Sequence, residues 1–262
     1  MLDRSRFHVA GNVYVVGCTE WNGLRRLSRG DSANVHLLDG GSELALIDTG
    51  CKKGAADVLA NIASMGFDVK KIRTILLTHS HHDHVNGLAE ILKSLDCTVY
   101  GHRLARETLA GEAGIYQPDY RYAPSDIAPV HELIAEHDTV RVGDTTLKVL
   151  EVPGHTPDGL AFTFELPDGA GLGAFTGDTA IGDQAGARGV IGWIDARWNT
   201  KLSDFKRSLE RLRALELAAF FPGHGFGHVG RADVQQSLDN CVWRIDQLLA
   251  IPHLSTMMPV QI

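Results

Sequence analysis

Four histidines and one aspartate lie within ten consecutive residues, THSHHDHVNG at positions 78 to 87. Part of this segment has the ordered pattern H-x-H-x-D-H, whose members are His79, His81, Asp83 and His84. Imidazole nitrogens and carboxylate oxygens are ligands that zinc and other first-row divalent ions prefer. A histidine-rich segment can also be a plain polar turn, so the metal-site hypothesis requires matching ligands elsewhere in the chain. His82 occupies a position that the pattern leaves free, and we do not expect it to be a ligand.

Three more candidate ligands each follow a short apolar run and sit in a turn that contains glycine. They are His155 in PGHT, Asp178 in TGDT and His224 in PGHG. Glycine lets the backbone turn sharply and brings the short side chain to the end of the preceding strand. The whole set, five histidines and two aspartates, is too large for one tetrahedral site. It suits two metal ions about 3.5–4 Å apart that share a bridging carboxylate and a bridging water.

These candidate ligands need rigid elements to bring them together, and the pattern of apolar residues indicates which elements those are. Apolar runs predict strands at 12–16, 34–38, 44–48, 72–78, 147–152, 161–165, 173–176 and 219–221. Apolar residues at helical spacing predict helices at 58–65, 88–95, 205–215 and 234–249. Each ligand motif therefore follows a predicted strand, and in α/β proteins the loops at strand carboxyl ends face a common crevice. Two successive halves of strands followed by helices predict an α/β fold, with two sheets packed face to face and helices outside.

Composition narrows the classes of partner. The chain has 262 residues, 44% of them hydrophobic, and a formal net charge of −7, so we expect one domain over 1–262 and no nucleic-acid partner. No stretch approaches eighteen apolar residues, and the first residues have no apolar signal region, so neither a membrane span nor secretion is expected. Four scattered cysteines without a C-x-x-C pair indicate reduced thiols and a cytoplasmic protein. The expected partner is a small-molecule substrate, and the sequence leaves the choice between monomer and homodimer open.

Two stretches fit neither predicted half. One spans 103–137 and the other 183–199, and their aromatic residues include Tyr116, Tyr120, Tyr122, Trp193 and Trp198. Long connections that carry aromatic residues are often lids or binding loops, although many only pack on the surface. We interpret these two stretches as loop insertions that line the approach of the substrate, with Tyr116, Tyr120, Trp193 and Trp198 as candidate contacts.

On these ordered motifs the chain resembles the metallo-β-lactamase-fold hydrolase superfamily, from the strand ending in IDTG (47–50) to PGHG (222–225). The resemblance implies an αββα sandwich of two mixed sheets flanked by helices. It also implies that Asp178 bridges the two metals and that Asp48 orients the histidine loop. The resemblance divides the remaining ligands into two sets, His79, His81 and His155 for one metal, and Asp83, His84 and His224 for the other.

The same resemblance implies a reaction, which is hydrolysis of an ester-type carbonyl by a hydroxide that bridges two divalent ions. Zinc is the expected ion, with iron or manganese as alternatives, and Asp83 is the expected proton carrier. Because true β-lactamases of the family typically lack an aspartate at the position of Asp178, the chain looks more like the glyoxalase II, acyl-homoserine lactonase and small thioesterase branches. A lactone or an acyl thioester is therefore the expected substrate class. The alternatives are a mononuclear-iron persulfide dioxygenase, a β-lactamase-like or RNA-processing enzyme, and a non-catalytic regulator, all of the same fold.

Overall fold

A computed structural model describes residues 4–19, 26–110, 128–183, 187–194 and 200–251. Its first sheet has seven strands in chain order, β1 (His8–Ala10), β2 (Val13–Gly17), β3 (Val35–Asp39), β4 (Leu44–Ile47), β5 (Ile72–Leu76), β6 (Thr98–Gly101) and β7 (Glu132–Leu133). The strands β1 to β4 pair antiparallel, and β4 to β7 pair parallel. This sheet is therefore mixed. Strands β2 and β4 are buried at every position, because a helical layer covers one face and the second sheet covers the other.

The second sheet has six strands, β8 (Thr139–Val142), β9 (Thr145–Glu151), β10 (Leu160–Leu166), β11 (Gly171–Gly177), β12 (Ala219–Pro222) and β13 (His228–Val229). Their order across the sheet is β13-β12-β11-β10-β9-β8. Only the β11–β12 pair is parallel. Strands β9 and β11 both run antiparallel to β10, so β9, β11 and β12 all end at the same edge of this sheet.

Six α-helices complete the described residues, α1 (Ala55–Ser64), α2 (His82–Val85), α3 (Leu88–Ile91), α4 (Arg103–Leu109), α5 (Leu202–Ala214) and α6 (Arg231–Leu249). Three separate apolar clusters show how the layers pack. One lies between the two sheets and includes Leu38, Phe162 and Phe175. The other two lie between each sheet and its own helices, around Val58 on α1 and around Phe205 on α5. The expected sandwich of two mixed sheets flanked by helices is confirmed.

The structure contains every strand and helix that the apolar pattern predicts, with strand bounds that differ by at most two residues. Strands β1, β6, β7, β8 and β13 were not predicted, because each has four residues or fewer, too short for the alternation seen in β6 and β8 to stand out. The helix predicted over 88–95 ends at Ile91, because the backbone there changes to i−3 hydrogen bonds such as Ser94 N to the Ile91 carbonyl (3.0 Å). Helix α4 and strand β7 belong to the stretch 103–137, and residues 111–127 of that stretch lie outside the described residues.

Two expectations from the sequence concern membrane-spanning helices and the state of the cysteines. Within the described ranges, none of the helices has the length and apolar character needed to cross a membrane. All four cysteines are buried free thiols.

Candidate metal centre

The seven predicted ligands come from the carboxyl ends of four strands. The H-x-H-x-D-H segment follows β5 of the first sheet, whereas His155, Asp178 and His224 follow β9, β11 and β12 of the second. The two sheets meet directly at this point, because Leu160 N donates a hydrogen bond to the Thr78 carbonyl (2.7 Å). Gly177 permits this approach, since a Cβ there would lie 2.9 Å from Thr78 Cβ. Strand direction therefore brings residues that are far apart in sequence to one place.

The ligand atoms form three overlapping groups, and within each group all atoms lie within 4.8 Å of one another. The first group is His79, His81 and His155, and the third is Asp83, His84 and His224. The second group joins Asp178 to His79 and His84, one histidine from each of the other groups. The structure thus brings together all seven residues that the sequence indicates, in two trios with Asp178 between them.

The first trio fits a metal ion by its donor atoms. His81 Nδ1 lies 3.0 Å from His155 Nε2. Two nitrogens bound to one tetrahedral zinc, each at about 2.0–2.1 Å, would lie roughly 3.3 Å apart. Nε2 of His79 is buried and has no hydrogen-bond partner among the described residues. A buried nitrogen without a partner costs free energy unless something else satisfies its lone pair, and a cation at this place would do so.

Asp178 lies between the two trios. Its Oδ2 is 3.5 Å from Nε2 of His155 and 3.5 Å from Nε2 of His224. Its Oδ1 is 3.3 Å from Nε2 of His84, yet this pair does not have hydrogen-bond geometry. One carboxylate therefore faces histidines of both trios, which is the position that a bridging ligand requires.

Asp48 determines which ring nitrogens of two histidines are free to bind a metal. Its Oδ2 is 2.8 Å from His84 Nδ1 and accepts a hydrogen bond from the Thr78 hydroxyl (2.7 Å). Because a carboxylate only accepts, His84 carries a proton on Nδ1, and Nε2 is the nitrogen that faces the other candidate ligands. The Thr78 oxygen, having donated its proton to Asp48, accepts from Nδ1 of His79 (3.1 Å), so Nε2 of His79 keeps its lone pair. Asp48 thus acts on one histidine of each trio.

A third histidine is oriented by a backbone carbonyl. His155 Nδ1 donates to the carbonyl of Trp193 (2.8 Å), which leaves His155 Nε2 as the acceptor. The neighbouring Gly192 N donates to the Asp178 carbonyl (3.0 Å). A Cβ at Gly192 would lie 2.3 Å from that carbonyl oxygen and 2.8 Å from His155 Nδ1. The segment around Trp193 is therefore packed directly against two candidate ligands.

The charges of the site differ between the trios. Burial lowers the pKa of His79 and His81 well below the usual value, so both rings are neutral and can bind a metal. Burial alone would also lower the pKa of His84, but the nearby carboxylates, Asp178 foremost, outweigh it and raise that pKa well above the usual value. Burial alone would raise the pKa of Asp178, but His224 and His84 hold it well below its usual value. Burial would raise the pKa of Asp83 as well, but His84 and His224 hold it below its usual value. Asp83 and Asp178 thus both remain charged, and divalent ions would balance them.

Two buried residues that support the ligand loops were not predicted. Asp158 Oδ2 accepts a hydrogen bond from Ser80 N (2.9 Å), between His79 and His81 of the histidine segment. Asn34 donates to two carbonyls of the loop that carries His224. Asp158 follows His155 in the sequence GHTPDG, and this is the only local signal for either residue. Both contacts join segments that only the folded chain brings together.

The candidate substrate contacts and His82 lie in different places relative to the ligand groups. The side chain of Trp193 is 54% exposed, beside the site. Tyr116, Tyr120, Tyr122 and Trp198 lie outside the described residues. His82 belongs to none of the three ligand groups, and its Nδ1 is 3.6 Å from Asp83 Oδ1.

Three other histidines have structural contacts away from the ligand groups. His36 packs on Phe175, and His102 accepts from Leu104 N at the start of α4. His228 Nε2 is 2.8 Å from Asp183 Oδ1. The sequence gives these three histidines no ligand context, and their contacts are those of structural residues.

Comparison with known proteins gives three findings. A family model described as the metallo-beta-lactamase superfamily matches residues 28–224. An atrochrysone carboxyl ACP thioesterase of Aspergillus fumigatus is 28% identical over 82% of this chain and 58% of its own length. A hydroxyacylglutathione hydrolase of Rhodopseudomonas palustris is 35% identical over 42% of this chain and 35% of its own length. The chain therefore spans less than two thirds of the length of these curated relatives.

Among solved structures, a metallo-beta-lactamase of Cronobacter sakazakii with a HARLDQ motif superposes with a TM-score of 0.73. The match covers 93% of this chain and 97% of that chain, at 21% identity. At this identity the likeness shows the fold alone.

Proposed function

The chain belongs to the metallo-beta-lactamase superfamily, and we propose that it is a metal-dependent hydrolase of acyl thioesters, with lactones as the next substrate class. The observation that carries this proposal is the position of Asp178 between the two ligand trios. Two similar proteins support the thioester class by their names, a carboxyl ACP thioesterase and a hydroxyacylglutathione hydrolase. The acyl group of a hydroxyacylglutathione is attached to sulfur, so both names describe thioester cleavage.

We further propose a centre of two metal ions, with zinc as the physiological metal. His79, His81 and His155 would hold one ion, Asp83, His84 and His224 the other, and Asp178 would contact both. The neutral imidazoles of the first trio and the charged carboxylates of Asp83 and Asp178 suit ions of this type.

When bound, the two ions lower the pKa of water and polarise the carbonyl of the substrate. The residues of the chain supply positioning and proton transfer. The side chain of Asp83 is 19% exposed and that of Asp178 only 7%, so Asp83 is the carboxylate that can exchange a proton with substrate and solvent. Asp83 Oδ2 is oriented by His224 Nε2 at 3.0 Å.

In the proposed reaction the water oxygen bonds to the acyl carbon and the carbon–sulfur bond breaks. Asp83 takes a proton from the attacking water and returns it to the sulfur, so the products are a carboxylic acid and a thiol. A thiolate leaves with little help because its conjugate acid has a pKa of about 8.5. An unstrained amide nitrogen must be protonated as it leaves, and the sequence motifs place no second acid for that step.

Trp193 is the proposed contact for the acyl part of the substrate. Its indole is exposed, while its carbonyl is bound to His155 and its neighbour Gly192 is bound to Asp178. An aromatic ring whose backbone is anchored to a candidate ligand offers apolar area with few rotamers to freeze. The preferred substrates should therefore carry an apolar acyl group.

Kinetics on metal-replete protein test the proposal. Acyl thioesters or lactones should be cleaved with a kcat/KM at least about tenfold above that of penicillins or carbapenems, a difference of about 1.4 kcal/mol in transition-state binding. Metal analysis of the same sample should find two ions per chain. Faster cleavage of β-lactams would refute the substrate class. A single iron per chain, together with oxygen uptake in the presence of a persulfide, would replace the hydrolase by a dioxygenase.

A further inference from the structure

Asn34 connects the two halves of the sandwich beside the second ligand trio. It precedes β3 in the first sheet, and its side chain is 4% exposed. Its carboxamide nitrogen donates to the carbonyls of Pro222 (3.0 Å) and Gly225 (2.9 Å), which flank His224 on the second sheet. Its backbone N also donates to the Gly223 carbonyl (2.6 Å). One residue of the first sheet thus holds the loop that carries His224.

The same short segment also holds the other side of this trio. Ala33 N donates to the carbonyl of Asp83 (3.1 Å). Ala33 and Asn34, which are adjacent and lie just before β3, therefore bind the backbone at Asp83 and the loop that carries His224. The two side chains meet at 3.0 Å, between His224 Nε2 and Asp83 Oδ2. The spacing between the Asp83 and His224 side chains therefore depends on the backbone contacts that Ala33 and Asn34 make.

We propose that Asn34 is a positioning residue that holds His224 at the correct distance from Asp83 and so sets the affinity of the second metal position. This inference rests on the two-metal centre proposed above. The chemistry at Asn34 requires a carboxamide, because two carbonyl oxygens accept its two N–H protons. A carboxylate of the same shape would present oxygen to oxygen, and an apolar side chain would leave both carbonyls without these partners.

The effect should be confined to the second trio. Histidines of the first trio are held by other residues, His79 through Thr78 and His155 through the Trp193 carbonyl. The His224 loop also keeps a contact on its far side, because Gly182 N donates to the His224 carbonyl (2.9 Å). Loss of the Asn34 side chain should therefore loosen the loop without unfolding it.

The test compares Asn34→Asp and Asn34→Ala with Asn61→Asp in the full chain. Asn61 is a matched control because its carboxamide also donates to two carbonyls, those of Val16 and Leu27, both at 2.8 Å, and it joins α1 to the first half away from the ligands. Metal-free proteins are titrated with zinc and, separately, with cobalt, whose visible absorption reports its coordination. Thermal unfolding of the metal-free forms measures the purely structural cost of each change.

The native chain and Asn61→Asp should bind two ions, and both Asn34 variants should bind the second ion about 10- to 100-fold more weakly, as is usual when support of a ligand is lost. The first ion should bind as in the native chain. Equal affinity for the second ion in native protein and both Asn34 variants would overturn the role of Asn34. The same loss in Asn61→Asp would also overturn it, because general destabilisation would then be the cause. One ion per native chain would instead refute the two-metal centre, and this inference with it.

Discussion

Replacing Asp48 by asparagine should weaken metal binding at both trios without altering the shape of the site. Asp48 has a left-handed backbone (φ 60°), which asparagine tolerates nearly as well, so the substitution adds little strain. The change therefore acts through hydrogen bonding. At Asp48 the two oxygens accept from Thr78 N (2.8 Å), from the Thr78 hydroxyl (2.7 Å) and from His84 Nδ1 (2.8 Å).

Neither orientation of the new carboxamide satisfies these three donors. If its oxygen faces Thr78 N, its NH₂ group faces His84 Nδ1 and the Thr78 hydroxyl. His84 Nδ1 must then accept a hydrogen bond, so the proton of His84 moves to Nε2. The Thr78 hydroxyl accepts from the NH₂ group and donates to Nδ1 of His79, so the proton of His79 also moves to its Nε2. If the carboxamide is turned over, its NH₂ group meets the N–H of Thr78. In that orientation the carboxamide oxygen still accepts from His84 Nδ1, so the cost is the Thr78 N–H left without an acceptor. In both orientations His84 loses its charged partner.

The loss of a hydrogen bond to a charged group costs about 1.5–3 kcal/mol, which corresponds to roughly 10- to 100-fold weaker binding of each ion. Zinc titration of the metal-free variant against a chelator of known affinity would measure this change, and circular dichroism would show that the fold is retained. Asp57→Asn is the matched control, because the Asp57 carboxylate also accepts two hydrogen bonds, from Arg29 N and Nε (both 2.9 Å), but lies on α1 away from the site. Suppose that Asp48→Asn and Asp57→Asn both bind the two ions within about threefold of the native affinity. The argument that Asp48 controls the proton positions of His79 and His84 would then be refuted.

Three further substitutions test other parts of the site. Asp178→Ala should lower metal occupancy and nearly abolish turnover while the circular dichroism spectrum is retained, since its carboxylate faces both trios; full activity with two ions bound would contradict the bridging role. Trp193→Ala should raise KM several-fold for a long-chain acyl thioester and less for an acetyl thioester. Trp243→Ala, which removes an indole that is 58% exposed on α6, should change neither value, and equal effects of Trp193→Ala on the two substrates would indicate packing only. Gly192→Ala places a Cβ 2.3 Å from the Asp178 carbonyl oxygen, so it should reduce metal content and lower the free energy of unfolding by about 1–3 kcal/mol; unchanged metal content would show that the segment can shift freely.

Much of the fold and the candidate ligand set could be predicted from local sequence. His155, Asp178 and His224 each follow an apolar strand and a glycine, and this order is enough to place them at strand ends. Strands β11 and β12 are mostly buried, and β9 alternates buried Leu147 and Val149 with more exposed residues, so all three could be recognised. The short edge strands such as β1 and β13 gave no such signal, because two or three residues show no periodicity.

The sequence by itself indicated which side chains are candidate metal ligands and that they lie at the carboxyl ends of strands, because both properties depend on residue type and on a few neighbours. The residue pattern alone did not divide these ligands into two trios, which the family resemblance implied, and only the tertiary structure decided what holds them. Asn34 contacts carbonyls that are 188 and 191 positions away, and Asp158 supports a backbone 78 positions away. Such contacts depend on which strands become neighbours across two sheets. That choice is made by burial of the whole apolar core, so no local pattern around Asn34 or Asp158 records it.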